Sequence, residues 1–120
     1  MAVSIQDLIK QKEAILARKT ETFDFTTSIG TIVVKKPTKA FVAEVLNLTE
    51  GADAYAILNS VIEPDLKSAE LQKAYGCAEP TDIVEALFDA GEIPAIGTKI
   101  VQCAGYGVPI EAKVHDDVKN

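Results

Sequence analysis

The sequence predicts a mostly helical (α+β) fold, a compact bundle of about five to six helices with one N-terminal β-hairpin. Three observations predict it. Apolar residues recur at helical spacing through most of the chain. One window, residues 22–36, changes to a two-residue period on either side of a turn. Glycines and prolines fall at the joints between these windows, where a chain must turn or stop.

Ser4, with Asp7 three residues on, has the pattern of a helix N-cap with an acidic third position. Ile5, Leu8, Ile9, Ile15 and Leu16 follow on one face, which predicts an amphipathic first helix from about Ser4 to Lys19. Phe23 and Phe25 then alternate with Thr22, Asp24 and Thr26, and Ile32 and Val34 with Thr31, Val33 and Lys35. Thr27-Ser28-Ile29-Gly30 between them reads as the turn of a hairpin, with Gly30 free to take a positive φ. Lys36-Pro37 ends the second strand, since Pro37 has no N–H for a ladder.

Thr38 caps a second helix with Phe41, Val42, Val45 and Leu46 inside, and Gly51 breaks it. Asp53 caps a third, carrying Ala54, Ile57, Leu58, Val61 and Ile62. Pro64 stops it and pushes Glu63 towards extended geometry. Ser68 to Tyr75 forms a short helix closed by Gly76 as a left-handed cap. Pro80 suits the first turn of the next helix, whose buried stripe is Ile83, Val84, Leu87 and Phe88 and which ends at Gly91. Pro94 opens a last helix with Ile96, Ile100 and Cys103, closed by Gly105. Residues 1–105 thus read as one domain and 106–120 as a loosely ordered tail with weak periodicity. An isolated hairpin is marginal in water, so this one needs the helices or another chain's strand beneath it. Lys35 and Lys36 are placed to guard one of its edges.

A chain of 120 residues with 48% hydrophobic and 25% charged residues fits a single globular core. No apolar run approaches the roughly 20 residues of a membrane span. MAVSIQDLIKQKE has no apolar block with a cleavage site, and two cysteines make no disulfide framework, so a cytoplasmic location and no membrane association are expected. The net charge of −6 is unevenly spread. Residues 1–40 sum to about +3 and the remainder to about −9. An acidic body repels phosphate backbones, which argues against nucleic acid. The basic third either forms a solvated face or contacts an acidic partner, a second copy included.

The inventory for catalysis is poor. His115 is the one histidine, and a Cys–His nucleophilic pair needs Cys77 or Cys103 to meet it in a fixed pose. Cys103 continues the spacing of Ile96 and Ile100, as a small core residue does, and Cys77 follows a capping glycine. No CxxC, HExxH, EF-hand, GxGxxG or P-loop pattern occurs, so no metal or cofactor is expected. Asp82 and Glu85 share the first turn of a helix, where the dipole favours negative charge without any catalytic role. These residues predict a protein-binding domain and no enzyme.

The run SVIEPDLKSAELQKAYGCAEPTDIVEALFDAGEI carries a family resemblance, most clearly in Glu63-Pro64, Leu66-Lys67, Glu70-Leu71-Gln72, Ala74-Tyr75-Gly76-Cys77 and Gly91-Glu92-Ile93. Upstream GTIVVKKPT, downstream Gly105-Tyr106 and the closing Val118-Lys119-Asn120 extend it over nearly the whole chain. It resembles the XkdN-like phage tail assembly chaperones of tailed phages and defective prophages of Gram-positive bacteria. The resemblance implies a non-enzymatic factor that coats the tape measure protein until tube subunits polymerise around it, and that is absent from the mature virion. It further implies the tail tube protein and a frameshifted extended form as possible partners, alongside a homo-oligomer. The rival class is a structural tail or baseplate component that self-assembles and stays in the particle. The expected partner surface is the first helix's apolar face, Ile5, Leu8, Ile9, Ile15 and Leu16, with Phe23 and Phe25 of the hairpin beside it. The competing expectation is that this face packs on the core.

Overall fold

Alternation in residues 22–35 does produce a hairpin, and its second strand becomes the centre of a sheet. The computed structural model describes residues 2–115. Strands β1 (Thr22–Thr27) and β2 (Gly30–Lys35) pair antiparallel around the two-residue loop Ser28-Ile29. Gly30 closes the loop at φ +117, a conformation costly for any residue with a Cβ. A third strand, β3 (Val61–Glu63), pairs antiparallel with the other side of β2 and gives the order β1-β2-β3. Seven helices surround it among the described residues: α1 (Ile5–Lys10), α2 (Lys12–Arg18), α3 (Lys39–Leu46), α4 (Ala52–Ser60), α5 (Ala69–Ala74), α6 (Asp82–Leu87) and α7 (Glu92–Cys103). The fold is α+β, with its sheet in mid-chain rather than a lone N-terminal hairpin and with more, shorter helices than expected.

The third strand corrects the reading of Val61 and Ile62 as helical. Pro64 disfavours helical geometry at Glu63, and the chain leaves α4 one turn early, with Val61 at ψ 121. Extended geometry still buries Val61 while its backbone pairs opposite Val34, and Ile62 turns outward. Since β2 is central, Lys35 and Lys36 do not guard an edge. Lys36 instead donates to the Arg18 carbonyl at 2.7 Å and pairs with Glu21 at 3.1 Å, tying the end of α2 to the base of the hairpin.

One core joins these elements. Ile32 and Val34 of β2 and Val61 of β3 meet Ile57 and Leu58 of α4, Ile83 and Val84 of α6, Ile96 and Ile100 of α7, and the loop residues Leu66 and Phe88. Val42 and Val45 bury the inner face of α3, while Leu46 projects outward at 67% exposure, contrary to the expected stripe. Phe41 stacks on Tyr55 at 5.7 Å, and the Tyr55 hydroxyl donates to Glu44 at 2.6 Å, which locks α3 to α4. The N-cap of α4 is Gly51 at φ +67, so Asp53 lies inside the first turn. There its carboxylate faces Gly97, where α4 and α7 approach so closely that a Cβ on Gly97 would collide with it. α6 stops at Leu87, earlier than Gly91, because Phe88 turns to ψ 150 and enters the core. α7 begins at Glu92, two residues before Pro94, which sits harmlessly in the first turn.

The first helix departs most from expectation. The Ser4–Asp7 capping box is present, but the helix breaks at Gln11 (φ −91, ψ 3) into α1 and α2. No residue of either piece is buried. Without a packing partner, burial does not enforce continuity, and helices this short are marginal by themselves. From Val108 to His115 the chain has no regular secondary structure and is exposed; residues 116–120 lie outside the described part.

Candidate partner-binding surface

α1 and α2 present an apolar ridge to solvent. Ile5, Leu8 and Ile9 on α1 are 71%, 47% and 67% exposed, Leu16 on α2 is 55% exposed, and Ile15 is half-buried. The expected alternative, that this face packs on the core, is not what the structure has: none of these residues joins the buried cluster. Phe23 and Phe25 separate from the ridge. They sit opposite Val34 and Ile32 on the sheet's inner side, half-buried, and Phe25 packs against the core. The candidate residues therefore form an exposed arm and a partly buried hairpin face, joined at the Lys36 linkage.

The hairpin tip is fixed by a contact that the sequence does not announce. Glu92, at the start of α7, accepts from the Ser28 N–H at 2.7 Å and the Ser28 hydroxyl at 2.6 Å across 64 residues. These bonds, the hydroxyl's foremost, hold the Glu92 carboxyl below the usual glutamate range. Between β1 and the outer face of α7 lies an open groove of about 700 Å³, lined by Asp24, Phe25, Thr26 and Thr27 and by Ala95, Ile96, Lys99 and Gln102 among others. Residues 95, 98, 99 and 102 were legible as a helix face at three- and four-residue spacing, but nothing in the sequence placed a strand beside it.

The distinctive central run turns out to be joinery. Gly76 takes φ +64, the Gly76 N–H donates to the Lys73 carbonyl and the Cys77 N–H to the Gln72 carbonyl, closing α5 in a Schellman motif. The Gln72 amide donates to the Leu66 and Pro80 carbonyls at 2.8 and 3.0 Å, and Asp82 accepts from the Ala78 and Glu79 N–H groups, both at 2.9 Å. Asp82 is thus a loop clasp. Cys77 and Cys103 are free and half-buried, and burial pushes the Cys103 thiol up, away from reactivity. Among the described residues no group of three or more His, Cys, Asp or Glu side chains could hold a metal ion.

A family model for the Phage XkdN-like tail assembly chaperone protein matches residues 31–119. The chain belongs to this family. Membership of the tail assembly chaperones implies a tail protein as partner and action in the host cytoplasm during assembly. No curated protein and no solved structure matches the chain. The family match in this tail assembly chaperone starts inside β2, so α1, α2 and β1 lie outside it. The matched span covers the α3–α7 body with its Gly76, Gln72 and Asp82 joints, and the exposed ridge sits on the unmatched arm. No helix among the described residues is long and apolar enough to cross a membrane.

Proposed function

We propose that this tail assembly chaperone binds the tape measure protein and keeps it soluble until tube subunits enclose it, without catalysing a reaction. The observation that carries the reading is the exposed ridge of Ile5, Leu8, Ile9 and Leu16 on an arm that the core does not use. Such a ridge is unfavourable in water and matches the apolar stripe of a long helical partner. Several copies along one polymer gain avidity from modest individual contacts, which leaves them displaceable by tube subunits.

Co-expression with the tape measure protein, followed by affinity capture and sizing, tests this. The expected result is a soluble complex with the wild-type chain and precipitated tape measure with the Leu8→Asp/Leu16→Asp variant. A tape measure that precipitates equally with both would sink the proposal. The open outer edge of β1 favours a second reading, a structural tail component that self-assembles. Under that reading purified particles contain the chain, whereas a chaperone is missing from them.

A further inference from the structure

Among the described residues the sheet has two free edges, β1 and β3, and only that of β3 is blunted. β3 is three residues long and runs into Pro64, both of which blunt an edge. β1 is six residues long and has neither a proline nor a lysine. Its inner ladder continues through the Lys36 N–H to the Glu21 carbonyl, so by antiparallel alternation Phe23, Phe25 and Thr27 bond to β2 while Thr22, Asp24 and Thr26 aim their peptide groups outward. Four successive β1 residues, Asp24 to Thr27, line the groove against α7, as an edge does and a sheet face cannot.

The chain also holds an unpaired strand. Within the tail that reads as weakly periodic, Val108, Ile110, Ala112 and Val114 alternate with Pro109, Glu111, Lys113 and His115, a short period-2 run whose Pro109 suits only an edge position. Yet Val108, Ile110 and Val114 are 60%, 87% and 95% exposed and none is in a strand. We propose that residues 108–114 of one copy add as a strand to the β1 edge of a second copy, with the apolar positions over the Phe25–Ile96 floor of the groove. The lengths agree: seven extended residues span about 23 Å and the six of β1 about 20 Å. With the apolar side on that floor, Glu111 and Lys113 on the segment's other side turn away from the groove into solvent, so neither charge is buried.

Direction selects a second copy over the same chain. α7 runs from the hairpin tip, where Glu92 holds Ser28, to its base, where Cys103, Ala104 and Val108 lie beside Lys36 and Pro37. The segment thus leaves at the base, and folding back onto its own β1 would make a parallel pair, slightly less stable per residue than an antiparallel one. A second copy approaches antiparallel without constraint. The inference is independent of what the chaperone holds.

Sedimentation of the full chain alone across a concentration series tests it. Wild type is expected to self-associate, and Ile110→Asp and Thr26→Pro each to remain monomeric, with Thr26→Pro removing an outward N–H and no ladder bond. An equimolar mixture of the two variants regains a dimer, because one keeps the edge and the other the segment. Ile110→Asp alters no core residue and decides the matter alone if Thr26→Pro fails to fold. A wild type that stays monomeric throughout, an association that survives Ile110→Asp, or hydrogen-exchange protection of the Asp24 and Thr26 amides in a monomer would each overturn the proposal, the last by seating the chain's own segment there.

Discussion

At Gly97 helix propensity and packing pull in opposite directions. Alanine in place of glycine gains about 1 kcal/mol within a helix, but its Cβ would strike the Asp53 carboxylate across the α4–α7 contact. Overpacking of a close contact costs roughly 1–3 kcal/mol, so Gly97→Ala is expected to lower stability by about 1 kcal/mol. In an Asp53→Ala background the cost shrinks, and a double-mutant cycle by urea unfolding reads the coupling. Ser60 runs the other way. It is 1% exposed, and its hydroxyl has no protein hydrogen-bond partner among the described residues. Ser60→Ala removes an unsatisfied buried group and should raise stability by about 1 kcal/mol in the same assay. Glu92 supplies a pH dependence. Its carboxyl is held low mainly by the Ser28 hydroxyl, so the clasp is fully present above the ordinary glutamate range and is lost as pH falls through the lowered value. The Ser28 amide resonance is expected to titrate with that low midpoint, and Ser28→Ala to move Glu92 back up; a Glu92 midpoint at or above the usual value would contradict the clasp.

Among the elements, short helices with good caps contrast with short helices lacking partners. α5 has six residues, yet Ser68 caps its start and a Schellman turn closes its end, with Leu71 and Cys77 packed on the core. Gly76→Ala forces a Cβ into φ +64 and should cost roughly 1–2 kcal/mol, measurable as a lowered urea midpoint. α1 and α2 have a capping box but no burial. Deleting residues 1–18 is therefore expected to leave the unfolding midpoint of the body nearly unchanged, while losing the Lys36 donation to Arg18 and the exposed ridge. A large drop in midpoint would mean that the arm packs on the body. The periodicity of the arm was legible in the sequence. Its exposure was not, because an amphipathic stripe looks the same whether it meets its own core or another chain.

The whole molecule is long for its mass, with extents of 72 × 29 × 23 Å and a radius of gyration of 19.0 Å. A compact chain of this length would have about 14 Å. Both described ends contribute, since neither α1–α2 nor residues 105–115 contain a buried residue. Small-angle scattering at low concentration should show the radius falling towards the compact value when residues 1–18 are removed. Charge is unevenly spread as well, with a basic N-terminal third and an acidic remainder. That asymmetry suits association with acidic surfaces and predicts interactions that weaken with salt.

The sequence by itself determined the local grammar: the Ser4 and Thr38 caps, the Gly30 and Gly76 positive-φ joints, the hairpin with its turn at Thr27-Ser28-Ile29-Gly30, and the family through the motif around Ala74-Tyr75-Gly76-Cys77. Each depends on residues a few positions apart, whose geometry the backbone restricts directly. Only the tertiary structure decided that Val61–Glu63 joins the sheet, that Gly97 admits α4, that Glu92 reaches Ser28, and that the ridge on α1–α2 stays in water. These contacts join residues distant in the chain, and local propensity holds no information about which distant surface a strand, a glycine or an apolar stripe will meet.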